Sequence, residues 1–196
     1  MWVDESRDRL MEGRVGRTLA DLGLAPGDVA LVTGALRLAM EPRAARLVDP
    51  HHPDFLHPGR TVLVLAVDAA VRDPLALAAG GLVESERPDV RVSADRIADE
   101  LGRALADWIG EVPLPGEGLT EALITAPREV CLVALAERLD HCRHAKFWSD
   151  PAAQRRIHAE AVEIYGPVAE RLDEGLGRRF RHWSEAFGRR LSRGSI

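Results

Sequence analysis

Apolar positions recur at helical spacing through most of the chain. From Glu5 to Leu22, Leu10, Met11, Val15, Leu19 and Leu22 mark one buried helix face. Gly23 reads as its C-terminal stop and Pro26-Gly27 as a turn. Asp28 is expected to cap a helix that reaches Met40 and closes at Pro42, with Arg43 to Val48 adding a turn. Asp49-Pro50-His51-His52-Pro53-Asp54 has no periodicity and reads as a loop. His57-Pro58 opens a helix to about Val71, with proline near the start, where its missing N–H costs little. Asp73-Pro74 caps another to about Ser85, and Glu86 to Val92 is a loop. Ser93 caps a helix from Ala94 to Leu101, and a further helix covers Arg103 to Ile109. Pro113 to Gly118 is the clearest break, and Thr120 to Thr125 is short and ambiguous.

Pro127 starts a long helix to about Trp148. Its apolar positions Val130, Val133, Leu135, Ala136 and Leu139 cover more than one face, as expected of a buried central helix. Ser149-Asp150-Pro151 caps a helix to about Leu172, which Gly175 and Gly177 separate from a last helix ending near Leu191. Aromatic residues make up only 5% of the chain, and Ala, Leu, Arg and Glu dominate, so strand signals are weak. The expectation is an all-α bundle of about eight to ten helices.

A length of 196 residues, 46% hydrophobic, fits one domain with a sizeable core. The reading divides it into an N-terminal extension (1–27), a core (28–172) and a C-terminal helix (173–196). A formal net charge of −5 argues against a general nucleic-acid binder. The longest apolar stretch, Thr61 to Val71, contains Asp68 and falls short of the roughly 20 residues a membrane span needs. Met-Trp-Val-Asp-Glu-Ser lacks the form of a secretion signal. Cys131 and Cys142 fall eleven apart on one expected helix, about 16 Å, too far for a disulfide. A cytoplasmic protein, with no membrane contact, is expected.

Side chains able to do chemistry gather in Phe55-Leu56-His57-Pro58, in Ala78 to Ser85, in Arg128 to Leu139 and in Ile164 to Leu172. In this order and spacing they resemble the HD-domain alarmone hydrolases, the hydrolase half of the RelA/SpoT proteins and the small stand-alone enzymes related to them. The resemblance covers roughly Ala35 to Arg171. It implies an all-α fold around a manganese ion and removal of the 3′-pyrophosphate of guanosine tetra- and pentaphosphate. His57-Pro58 matches the family's His-Pro, and Glu84 the Glu of its Glu-Asp. Leu135-Ala136-Glu137-Arg138-Leu139 matches Leu-Ala-Asp-Arg-Leu. Tyr165, Pro167, Ala169, Arg171 and Leu172 match the final stretch.

The departures bear on the chemistry. Gly80-Gly81 stands where the family has His-Asp, and Ser85 where it has the Asp of Glu-Asp. The resemblance leaves His57 and Glu137 as residual metal ligands, Glu84 as the candidate catalytic residue, and Tyr165, His141 and Arg138 as substrate-binding residues. Manganese favours carboxylate and water oxygens with some imidazole, and glycine supplies no ligating atom. Without the ion an attacking water loses its main activation. The expectation is therefore a degenerate member with no bound cofactor, acting as a nucleotide-binding or protein-interaction module toward guanosine polyphosphate, another nucleotide or a protein partner. The alternatives are a Mn²⁺-dependent phosphohydrolase with a rearranged centre built on His57, Glu84 and Glu137, or a metal-free enzyme reusing the pocket.

Plainer roles stand beside these. His57 suits helix capping, and Glu137 suits pairing with His57, Arg128 or Arg60. The glycine pair suits either drift after metal loss or close approach of a helix or ligand. His51, His52, His141, His144 and His158 read as solvated, with a rebuilt site from His51 or His52, His57 and Glu137 as the sharper option. Trp148 and Trp183 read as packing aromatics. The basic run Arg178 to Trp183 with Arg189-Arg190 reads as a solvated face, or as a surface for a phosphate-bearing or acidic partner.

Overall fold

Capping residues set several of the helix boundaries in the computed structural model, which describes residues 5–47, 51–52 and 54–193. Helix α1 (Glu5–Asp21) ends at Gly23, whose φ is +85°. Leu24 N–H donates to Leu19 C=O (3.1 Å) and Gly23 N–H to Ala20 C=O (2.9 Å), the paired bonds of a Schellman stop. Asp73, Ser93 and Asp150 each accept a backbone N–H at a helix start, from Leu75, Arg96 and Ala152 respectively.

Helix α2 (Pro26–Arg46) departs from expectation at both ends. It begins at Pro26, so Asp28 lies in the first turn, where its charge suits the positive end of the helix dipole. It also runs through Pro42. Arg43 holds the extra turn in place, because its guanidinium donates to Ala39 C=O (2.9 Å) and Asp54 C=O (3.3 Å) and to the Glu84 carboxylate (2.6 Å). Residues 48–50 and 53 of the expected loop and turn lie outside the described residues.

Helix α3 (His57–Leu63) passes into a wider π turn (Val64–Asp68) and stops there, short of Val71. Arg72 donates to Ala66 C=O and Val71 C=O (2.8 Å each) at that end. Helix α4 (Pro74–Leu82) likewise ends before Ser85, and Val83 is extended. Helices α5 (Ala94–Leu101), α6 (Arg103–Gly110) and α7 (Leu119–Thr125) follow, and then α8 (Arg128–His144). A 3₁₀ turn (Ala145–Phe147) replaces the expected last turn of α8. Helix α9 (Pro151–Glu160), a π turn (Ala161–Tyr165) and α10 (Gly166–Leu172) form one run, and α11 (Glu174–Arg193) closes the chain. There is no strand among the described residues, so the fold is an all-α bundle.

Helix α8 is the axis. Every residue from Val130 to Cys142 is buried, with α3 and α4 on one side and α10 and α11 on the other. The glycines of α4 let it pack closely on two neighbours, Gly80 on the π turn after α3 and Gly81 on α2. A Cβ on Gly80 would lie 2.3 Å from Leu65 Cδ1, and one on Gly81 would lie 3.0 Å from Leu36 Cδ2. Helix α1 packs on α2 and α3, with Val15 and Leu19 fully buried and Met11 pressed onto Gly59, where a Cβ would meet Met11 Cγ at 2.3 Å. Cys131 and Cys142 are buried free thiols. No helix among the described residues is long and apolar enough to cross a membrane.

Candidate metal centre

Polar residues in a helix buried on all sides must find partners inside the protein. In α8 these are Glu137, Arg138, Asp140 and His141, all buried. Glu137 and His141 are four apart and share one face. That face meets His57 from the first turn of α3 and Glu84, which in turn pairs with Arg43 from the last turn of α2. Because α4 stops at Leu82, the chain turns and brings Glu84 inward, where its Oε1 accepts the N–H groups of Glu86 and Arg87 (2.9 Å each). Its Oε2 accepts from Arg43 (2.6 Å).

Asp140 orients His57. The ring's Nδ1 donates to Asp140 Oδ2 at 2.8 Å, and Arg60 Nε donates to Asp140 Oδ1 at 2.9 Å. His57 Nε2 is then buried without a hydrogen-bond partner. His141 Nε2 lies 3.2 Å from Glu84 Oε1 and 3.1 Å from Glu137 Oε1, yet points squarely at neither, so it too lacks a well-directed bond. The two imidazoles stack with centroids 4.2 Å apart. Glu137 Oε1 accepts Ser85 N–H at 2.8 Å.

Charge is balanced at close range. Burial alone would raise the Glu84 pKa, but His141, His57 and Arg43 hold it below the usual carboxylate range. Burial opposes ionisation of Glu137 as well, and His141 and Arg138 bring it down to about 2. Asp140 is held low against burial by His57 and Arg60. Burial disfavours a charged His141, but Glu137 and Glu84 outweigh it and push its pKa up to about 10. The carboxylates of Glu84, Glu137 and Asp140 are thus answered by Arg43, protonated His141 and Arg60.

The structure therefore brings together His57, Glu84, Glu137 and His141. Tyr165 and Arg138 stand apart in a second buried cluster. The Arg138 guanidinium lies over the Tyr165 ring at 5.3 Å, pairs with Glu86 at 2.6 Å and donates to Ser85 Oγ at 3.2 Å. Three expectations are corrected. His141 is buried in the centre rather than solvated. His51 and His52 are not its extra imidazoles: His51 contacts Arg7 (2.9 Å) and His52 accepts the Asp54 N–H (3.2 Å). Gly80 and Gly81 face Leu65 and Leu36 in the apolar core, so close helix approach is their role here. Glu137 pairs with His141 rather than with Arg60 or Arg128.

Sequence reasoning missed Arg43 and Asp140. A cluster of polar residues inside an otherwise apolar α8 was the signal for Asp140. Arg43 carried none, since its role depends on Glu84, distant in sequence.

The manganese implied by the resemblance fits this centre poorly. The orphaned His57 Nε2 suits an imidazole ligand, but positions 80 and 81 face elsewhere and His141 adds a second nitrogen donor. Manganese favours oxygen-rich octahedral sites with water, and these side chains are sealed from solvent. A mostly apolar pocket of about 230 Å³ reaches Glu84, beside Leu82, Val83 and Val92, and an open groove of about 330 Å³ is lined by His52, Asp54, Glu86, Arg87, Phe147 and Trp148, the Trp148 ring standing 6.3 Å from that of His141. No model of a known protein family matches the chain. Nor does any curated protein match it with significance.

Proposed function

We propose that the chain is a degenerate relative of the HD-domain alarmone hydrolases, a non-hydrolytic module that binds a nucleotide or a protein partner. One observation carries the reading: both oxygens of Glu84, the residue expected to position a water, are already held by Arg43 and by the N–H groups of Glu86 and Arg87. A carboxylate so engaged is poorly placed to orient or deprotonate water. The order of motifs, from His57-Pro58 to Tyr165 and Arg171, supports the family comparison. The groove beside Trp148 is the place such a module would offer a ligand. A cytoplasmic location belongs to the same reading and agrees with two buried free thiols.

The test is incubation of the full chain with guanosine tetraphosphate and Mn²⁺. The nucleotide should stay intact. Steady pyrophosphate release that disappears in His57→Ala would overturn the reading in favour of a hydrolase with a rearranged centre, which the convergence of His57, Glu84 and Glu137 favours.

A further inference from the structure

We infer that the pocket between the end of α4 and helices α5 and α6 binds a small aliphatic monocarboxylate of about six to eight carbons, its tail among apolar walls and its head group on Arg91. The inference stands on the pocket and does not depend on the non-hydrolytic reading.

Gly102, at φ +101°, turns the chain so that α6 folds back beside α5. The pair leaves a pocket of about 230 Å³ against residues 82–84. Its walls include Leu82, Val83, Val92, Ile97 and Val112, all buried. Only two lining residues are ionisable, Glu84 and Arg91. The Glu84 carboxylate is already held by Arg43 and by the N–H groups of Glu86 and Arg87. Arg91 is exposed, and its Nε donates to Glu84 C=O at 3.0 Å. Its neighbours Arg87 and Arg96 are engaged by Asp89 and Glu100 (2.8 Å each), but no carboxylate pairs with Arg91 among the described residues. The Nε bond steadies the guanidinium and leaves its two terminal nitrogens to an anion, the fork that matches a carboxylate. One cation in an apolar lining suits a single negative charge, because the second charge of a phosphate ester would stay unanswered beside the valines. An apolar cavity of about 150 Å³ admits benzene, so this pocket has room for about eight to ten non-hydrogen atoms, the size of hexanoate or octanoate.

The full chain is titrated calorimetrically with sodium octanoate. One equivalent should bind, with a Kd of about 10–300 μM for a ligand of this size. Octanol has the same tail without the charge, and butyrate leaves the walls unfilled, so each should bind at least about tenfold more weakly. Arg91→Gln removes the charge-assisted bonds and should weaken octanoate about 10- to 100-fold. Ala94→Phe narrows the pocket from the exposed start of α5 and should weaken it as well. The control Arg103→Gln, exposed and outside the lining, should change nothing. Absence of saturable binding overturns the inference, and so does octanol binding as tightly as octanoate. Unchanged affinity in a folded Arg91→Gln variant overturns it too. If that variant does not fold, undiminished binding in Ala94→Phe decides against the site equally. Octyl phosphate binding more tightly than octanoate removes the carboxylate assignment. Guanosine tetraphosphate in excess should leave octanoate affinity unchanged, and competition would give the pocket to the nucleotide instead.

Discussion

Two buried polar clusters sit on neighbouring faces of α8, and they solve the cost of burial differently. Around Arg138, a guanidinium meets Glu86, which a second arginine, Arg156, also reaches at 3.0 Å from the surface. Around His141, two imidazoles join Arg43 and Arg60, and two ring nitrogens remain without well-directed bonds. A guanidinium carries only donors, so Arg138 Nε, buried without a partner, has no lone pair to offer. Imidazole can lose its proton and offer a lone pair, so the same degree of burial leaves the His141 cluster with a chemical option that the Arg138 cluster lacks.

The sharpest way to separate the clusters is to remove the arginine from each. Arg43→Met takes from buried Glu84 its shortest ion pair, at 2.6 Å, and should cost about 3–5 kcal/mol in denaturant unfolding. Arg138→Met should cost less, about 1–3 kcal/mol, because Glu86 keeps Arg156 and partial access to water. Equal losses would show that the two clusters are energetically alike.

The glycine pair gives the next effect. Gly80→Ala gains about 1 kcal/mol of helix propensity but forces a methyl onto Leu65, buried in the core, at a cost of about 1–3 kcal/mol. Net destabilisation is expected there, while Gly81→Ala, with 3.0 Å to Leu36, should be closer to neutral. A stabilised Gly80→Ala would show that the pair is not a packing contact.

For the metal-free chain, pH offers a gentler probe. His141, raised from 6.5 to about 10, contributes stability that is complete below 6.5 and fades as pH climbs toward 10. Glu137, lowered from 4.5 to about 2, contributes stability that is complete above 4.5 and fades as pH falls toward 2. The melting temperature should therefore peak between about pH 4.5 and 6.5, and His141→Asn should flatten the alkaline side. The smallest effect concerns the thiols. Burial pushes Cys131 up to about 11 and Cys142 higher still. Neither should react appreciably with a thiol reagent at pH 8 until denaturant is added.

Local chemistry made much of the fold legible. Gly23, Asp73, Ser93 and Asp150 act at helix ends as their side chains predict, and the all-round apolar pattern of α8 marked it as central. Pro42 misled, because a proline stop is a local preference, and the buried Arg43–Glu84 pair, formed 41 positions apart, outweighs it. In the centre, His57, Glu84 and Glu137 were legible as an ordered set. His141 was assigned to solvent because histidine is so often exposed, and nothing nearby in sequence signals the carboxylate of Glu84 beside it. Gly80-Gly81 drew attention for its residue type, but helix termination at Leu82 decides which side chain turns inward, and that is a property of the packed structure.

Met11 rests on Gly59, two residues beyond His57, with no space for even one methyl between them. The amino-terminal helix thus works as a wedge that sets how deeply the imidazole-bearing turn is seated. Trimming that helix would remove the methionine that packs against Gly59 and loosen the turn that carries His57.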